Sequence, residues 1–342
     1  MDSANSGEVC ARNGACAARA PAWLLRLASL KLTLAVIVLL LAGSALALWS
    51  REQMTWPLVA PLALFALNLA AAVATNAAFR RQGALLVFHL ALIALVLLVA
   101  AGRLTYLKGW VELADGSVFA GRLDGYEAGP WHAGGIERVS FQNLGFSIYY
   151  APGIRRGRTR NRVRWFDADG VERRAVIGDM DPLVLRGYRF YTSYQKGYAP
   201  EFTWYPRAGA PQRGGVDLPA YPMYEQNQRQ EWTPPGGGPS FDITLRIDGI
   251  ILDPARPSAF ALPKRHTLLI RADRETHEVE PGGRIELAEG TLVYEGLRTW
   301  MGYTVFYDWT LPWVFAASLV ALLSLAWHYA RKFAARPWLQ TE

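Results

Sequence analysis

The sequence predicts a membrane protein with four transmembrane α-helices and one large extracytoplasmic antiparallel β domain, of sandwich or open-barrel type, inserted between helices three and four. Three observations predict it. Four apolar runs, residues 32–49, 56–78, 84–102 and 309–330, each approach the roughly 20 residues that cross a hydrocarbon core at about 1.5 Å rise per residue. Residues 103–308 instead show short strand-like pieces separated by Gly, Pro and charged residues, with no long 3.6-residue periodicity. The charge is also unevenly placed. Of a net +7, the segments outside residues 103–308 hold ten Lys and Arg against four acids, so the middle segment is nearly neutral. The basic balance is therefore a topology signal and not a nucleic-acid footprint. A chain of 342 residues that is 51% hydrophobic with 13 Trp belongs partly in lipid and partly in water.

Residues 1–31 form an N-terminal tail assigned to the cytosol. Its Cys10 and Cys16 are the chain's two cysteines, read as reduced bystanders, and no Cys-x-x-Cys exists to exchange thiols or anchor haem covalently. The first run contains Ala45-Leu46-Ala47, which resembles a signal-peptidase site, but it is longer than a usual signal core and more spans follow. Asn68 and Asn76 in the second run are expected to hydrogen-bond between helices. The link FRRQG is short enough to be a turn between antiparallel helices, and its Arg80 and Arg81 mark the cytosolic side. Arg331, Lys332 and Arg336 follow the last run, so residues 331–342 form a second cytosolic tail. Both termini are then inside and the large domain outside a bacterial inner membrane. Trp49, Trp56, Trp300, Trp309 and Trp313 are expected near the outer interface.

In the inserted domain, strands are expected at 139–150, 162–166, 188–194, 241–247, 266–271 and 291–297. The Pro/Gly/Gln-rich interval 206–239 either splits the domain into two lobes or forms one ordered excursion. The basic run RRGRTRNRVR, residues 155–164, alternates as a solvated edge strand would, with an anionic-ligand site as the other reading.

No nucleophile elbow, zinc-protease motif, phosphate-binding Gly loop or metal-spaced Cys/His set is present, and His132, His266 and His277 are scattered. No self-sufficient catalytic constellation is visible. His89 differs in kind, because an ionisable residue inside an apolar span is a functional-site hypothesis by default. Its helix neighbours Leu85, Leu86, Leu92, Ile93 and Val96 are apolar, so its partner is expected from another helix, a cofactor or another protein. Two readings stay open: an axial ligand of haem iron, or a histidine bonded to Asn68, Asn76 or a carbonyl across a helix interface. His328, near the cytosolic end of the last span, is a second candidate haem ligand. A pair with His89 would make a stand-alone b-type haem protein, but beside Arg331 and Lys332 it reads rather as an interfacial polar residue that needs no special role.

The opening LLRLASLKLTLAVIVLL, the RR-bearing turn before FHLALIALVLL, and the segments FQNLGFSIYY and DPLVLRGYRFYTSYQKGYAPEFTWYP resemble the ResB/CcsB family of cytochrome c biogenesis proteins. So does the run from Tyr303 through Asp308 into the last span, and the chain resembles a compact or divergent member. The resemblance implies a membrane subunit of a system II cytochrome c synthase that pairs with a CcsA-type subunit. Together they would carry haem b across the membrane and present it, reduced, to apocytochrome c. His89 stands where the family has an intramembrane axial ligand, which makes haem iron its only metal, and the second ligand is expected from the partner. The same resemblance implies a non-catalytic or co-catalytic role in a haem lyase complex. A membrane-anchored β-domain scaffold or sensor without haem is the alternative.

Overall fold

The computed structural model describes residues 21–49, 55–219, 228–272 and 275–334. Cys10, Cys16, Arg12, Arg19, Arg51 and Arg336 lie outside the described residues. The chain divides into a helical unit, Met1–Thr105 with Gly129–Trp131 and Trp309–Glu342, and a β unit, Tyr106–Ala128 with His132–Asp308.

The helical unit contains α1 (Ala22–Leu27), α2 (Leu30–Trp49), α3 (Trp56–Thr75), α4 (Ala77–Arg81), α5 (Gly83–Thr105) and α6 (Leu311–Ala334). Of these, α2, α3, α5 and α6 are long and apolar enough to cross a membrane, and large side chains such as Leu34, Leu41, Leu97 and Leu322 face outward. An outward apolar surface is stable only in lipid, where each helix keeps its backbone hydrogen bonds within itself. Pro57 occupies the first turn of α3, where a missing N–H breaks no bond. A Cβ on Gly43 of α2 would lie 2.3 Å from the Pro57 carbonyl oxygen, so only glycine permits that approach of α2 to α3.

The two asparagines part company. Asn68 is buried; it accepts from the Thr33 hydroxyl at 2.7 Å and donates to the Leu27 carbonyl at 2.5 Å, tying α3 to the bend between α1 and α2. Asn76 makes no such bridge. Its extended backbone ends α3, and its side chain accepts from the Ala78 N–H at 3.0 Å to cap α4. The expected turn FRRQG thus begins inside a short helix. At the far end of α5, the Trp131 N–H donates to the Leu104 carbonyl at 2.8 Å and its ring meets Trp56 edge-on at 6.5 Å, while the Trp309 indole donates to the Thr105 hydroxyl at 2.9 Å.

The β unit runs in order through β1 (Leu107–Ala114), β2 (Val118–Ala120), β3 (Gly125–Ala128), β4 (Ser140–Ala151), β5 (Arg155–Phe166) and β6 (Glu172–Ile177). Next come β7 (Leu183–Leu185), β8 (Tyr188–Pro206), β9 (Gln212–Gly215), β10 (Leu218–Pro219), β11 (Gln228–Trp232) and β12 (Phe241–Ile247). The last five are β13 (Ser258–Ala259), β14 (His266–Ala272), β15 (Glu275–Val279), β16 (Arg284–Leu287) and β17 (Gly290–Tyr307). An eight-stranded sheet has the path β10-β8-β17-β1-β3, with β7 and β9 also on β8 and β16 on β17. A four-stranded sheet runs β11-β12-β14-β15, and a five-stranded one runs β13-β4-β5-β6 with β2 on β4. All pairings are antiparallel and no barrel closes. One apolar cluster extends across all three sheets, from Val111 and Phe141 to Ile243 and Tyr294. The described part of the interval 206–239 supplies β9 and β10 to β8 and β11 to β12.

Two expectations are corrected. The basic run 155–164 is not an edge: β5 pairs with β4 on one side and β6 on the other. Its alternation reflects two faces, with Thr159, Asn161 and Val163 buried while Arg158, Arg160 and Arg162 face out. Trp300 is not an interfacial anchor either, because it sits inside β17, 2% exposed, with its indole donating to the Leu218 carbonyl at 2.9 Å.

β7 and β8 join through a two-residue turn, Arg186 and Gly187, both at positive φ (52° and 86°). Such hairpin turns favour Asn-Gly, so arginine there costs roughly 1 kcal/mol of backbone strain.

A buried polar chain links the large sheet to the five-stranded one. The Tyr303 hydroxyl donates to Asn161 Oδ1 at 2.8 Å, Asn161 Nδ2 donates to Asn143 Oδ1 at 2.7 Å, and Asn143 Nδ2 donates to the Leu113 carbonyl at 3.0 Å. Every link is satisfied, so losing one member strands its neighbours in a dry interior. Asn161→Ala is therefore expected to destabilise the β unit by about 2–4 kcal/mol and Tyr303→Phe by about 1 kcal/mol, measured as thermal midpoints of the full chain by near-UV circular dichroism.

Candidate functional site

His89 lies in the second turn of α5. The side chains around it on the helix are apolar, but its own helix does supply a partner: Nδ1 bonds the Leu85 carbonyl oxygen, one turn back, at 2.7 Å. That corrects the expectation of a partner from elsewhere, which left out the carbonyls of the histidine's own helix. A carbonyl only accepts, so Nδ1 donates, and in the neutral imidazole this leaves the lone pair on Nε2. Among the described residues Nε2 makes no hydrogen bond. The Phe79 ring of α4 packs on the imidazole at 4.3 Å and 41°, and Phe88 meets it edge-on at 5.3 Å. Asn76 thus serves the histidine indirectly, by capping the short helix that carries Phe79, and Asn68 is engaged elsewhere.

An imidazole with Nδ1–H on a carbonyl and Nε2 exposed to an apolar surrounding is the form that ligates a metal ion. The donor set suits a haem iron that brings four nitrogens of its own, because one imidazole cannot hold a bare ion. Among the described residues no group of three His, Cys, Asp or Glu side chains could hold one. His328 lies on α6 with its ring 5.4 Å from Tyr329, and no hydrogen bond or ring contact joins it to His89. A separate apolar groove of about 520 Å³ between α5 and α6, walled by Leu97, Ala101, Trp313 and Ala317, lies roughly 130° around α5 from His89.

Two of the β-unit histidines have hydrogen-bond partners, whereas His277 of β15 lies 3.9 Å from the Glu275 carboxylate and its buried Nε2 makes no hydrogen bond among the described residues. His132 Nε2 lies 3.0 Å from the Tyr188 hydroxyl, which donates onward to the Gly134 carbonyl, and His266 Nε2 lies 2.7 Å from the Tyr294 hydroxyl. Burial pulls the His266 pKa down. Three charged groups, Lys196, Glu112 and Asp217, escaped the sequence reading. Lys196, in the aromatic run of β8, is 1% exposed, and burial together with the Arg156 charge pushes its pKa down to about 8. Arg156 ion-pairs with Asp179 at 3.0 Å and stacks 4.4 Å from the Tyr194 ring. A lysine among eight aromatics in 19 residues was the available signal.

On β1, Glu112 is pushed from its ordinary 4.5 up to about 7 by burial and by the charges of Asp217 and Asp124. Asp217 is raised to about 6 by burial and by Asp124. A raised carboxyl pKa favours folding below its unfolded value, and that contribution is lost as pH rises through the folded one. Stability supplied by Glu112 is therefore complete below about 4.5 and gone above about 7. Glu112→Gln is expected to stabilise the fold at pH 8, by about 1–2 kcal/mol once half-exposure is allowed for, with the gain fading by pH 4.5. Parallel melting curves of both proteins across that range check it.

The model of the ResB-like family matches residues 66–333, which covers His89, most of the membrane-spanning helices and the whole β unit. No curated protein matches the chain. With four membrane-length helices, a β domain inserted after the third, and a family match over most of its length, the chain belongs to the ResB-like family and is a multi-pass membrane protein of cytochrome c biogenesis.

Proposed function

We propose that the chain is the membrane subunit of a system II cytochrome c synthase, which works with a CcsA-type subunit to carry haem b across the bacterial inner membrane and to support its attachment to apocytochrome c. The observation that carries this reading is the imidazole of His89, with Nδ1 held by the Leu85 carbonyl and Nε2 unbonded among the described residues. Haem is the cargo, and His89 supplies one axial ligand to its iron; the apolar face around it leaves the other to the partner subunit. Leu85 sets the tautomer, and Phe79 and Phe88 hold the ring plane and keep water from it. The chain acts by positioning, with no acid–base group of its own in the reaction. The positive charges of Arg80, Arg81, Arg331 and Lys332 support a topology with both termini in the cytosol, the β unit outside and His89 in the inner leaflet.

The test is to co-express the His89→Gly chain with its partner subunit and a cytochrome c substrate. The variant is expected to lose the haem absorbance of the purified complex and to cut holocytochrome yield about tenfold or more, with imidazole added to the medium restoring part of both. Unchanged haem content and yield would refute the ligand assignment. Haem bound by the chain alone with a bis-histidine spectrum that His328→Ala abolishes would replace it with the stand-alone cytochrome.

A further inference from the structure

We propose that a cleft in the β unit walled by Arg138, Arg164 and Arg186 binds the two carboxylates of a planar amphipathic dicarboxylate, which, on the function proposed above, is the propionate edge of haem.

The cleft has a volume of about 580 Å³ and lies between the start of β4, the end of β5 and the β7–β8 hairpin. That volume is in the range of small-molecule sites. Its charge is lopsided. Arg138 and Arg186 are exposed and form no ion pair among the described residues, while Arg164 is shared with Glu172 at 3.4 Å and with Gln142. The acid in the wall, Asp167, is committed: it accepts from the Val171 N–H at 2.9 Å and from the Arg173 guanidinium at 2.9 Å, and these bonds hold its carboxyl below the ordinary range. Two unpaired guanidiniums beside a third match two carboxylates, because each planar fork can take one in bidentate fashion.

The remaining wall is apolar and wet. Phe166 is 63% exposed and Val184 54%, and Trp165, which also lines the cleft, is half-buried. Flat side chains left in water next to cations suit a ligand that is flat and apolar on one side and anionic on the other. Arg186 sharpens the point, since it holds a positive-φ turn position that Asn or Gly fills without strain. That turn lies within DPLVLRGYRFY, a run for which the proposed handling of haem by His89 has no use. No His, Cys or Met lines the cleft, so the grip is on carboxylates and not on iron.

The full chain in nanodiscs of neutral lipid is titrated with iron-free protoporphyrin, which His89 cannot ligate, and with its dimethyl ester, reading the quenching of tryptophan emission. Saturable binding of the diacid is expected, weaker by about tenfold or more in Arg138→Gln/Arg186→Gln, with the ester bound weakly and alike by both. Arg246→Gln, whose guanidinium pairs with Glu278 at 3.0 Å outside the cleft, is expected to bind as the unaltered chain does. Equal affinities for diacid and ester, or for the chain and the double variant at equal thermal midpoints, overturn the proposal. Arginine-dependent binding of short-chain phosphatidylglycerol with no porphyrin bound overturns it in favour of a lipid-headgroup site. A chain that fails here but keeps a His89-dependent haem spectrum loses the cleft alone, and the converse result removes only the ligand role of His89.

Discussion

The structure depends on a ladder between segments far apart in sequence. β8 and β17 pair from Tyr188 with Tyr307 to Pro206 with Gly290, and β17 pairs in turn with β1 from Tyr307 with Leu107. The first and last strands of the inserted domain are therefore neighbours, about 4.8 Å apart. Some two hundred residues can hang between α5 and α6 without holding those helices apart, and in the helical unit Trp309 does bond Thr105. Contacts of such long sequence separation form late and at a high entropic cost. The aromatic content of both strands, with Trp204, Tyr294 and Tyr303 fully buried, provides the apolar burial that offsets it.

The same economy of means appears at His89. A histidine in a hydrocarbon layer needs a hydrogen-bond partner, and a second polar side chain would have to be buried in its turn. The Leu85 carbonyl avoids that expense because it is already present and can accept a second bond. The arrangement leaves Nε2 without a hydrogen bond among the described residues.

Some polar groups in the β unit follow the opposite logic, since there they are gathered into sets. Tyr303, Asn161 and Asn143 satisfy one another between two sheets, and Asp179 accepts from Arg156 and Thr192 beside the buried Lys196.

Membrane-spanning helices were legible in the sequence because the bilayer imposes a local rule: roughly twenty apolar residues in a row, whatever the rest of the chain does. The alternating pieces at 241–247 and 266–271 were legible for a similar reason, a period of two that a half-buried strand requires. His89 was legible as an outlier against such a background. What only the tertiary structure decided was who partners whom. The Arg-rich strand lies inside its sheet because β6 covers its far edge, and Trp300 is buried because Leu218 offers a carbonyl to its indole. Asn76 caps a helix, and Leu85 sets the imidazole, through backbone groups that hydropathy does not register. Solvent preference is a property of each residue, whereas partnership is a property of positions brought together by folding.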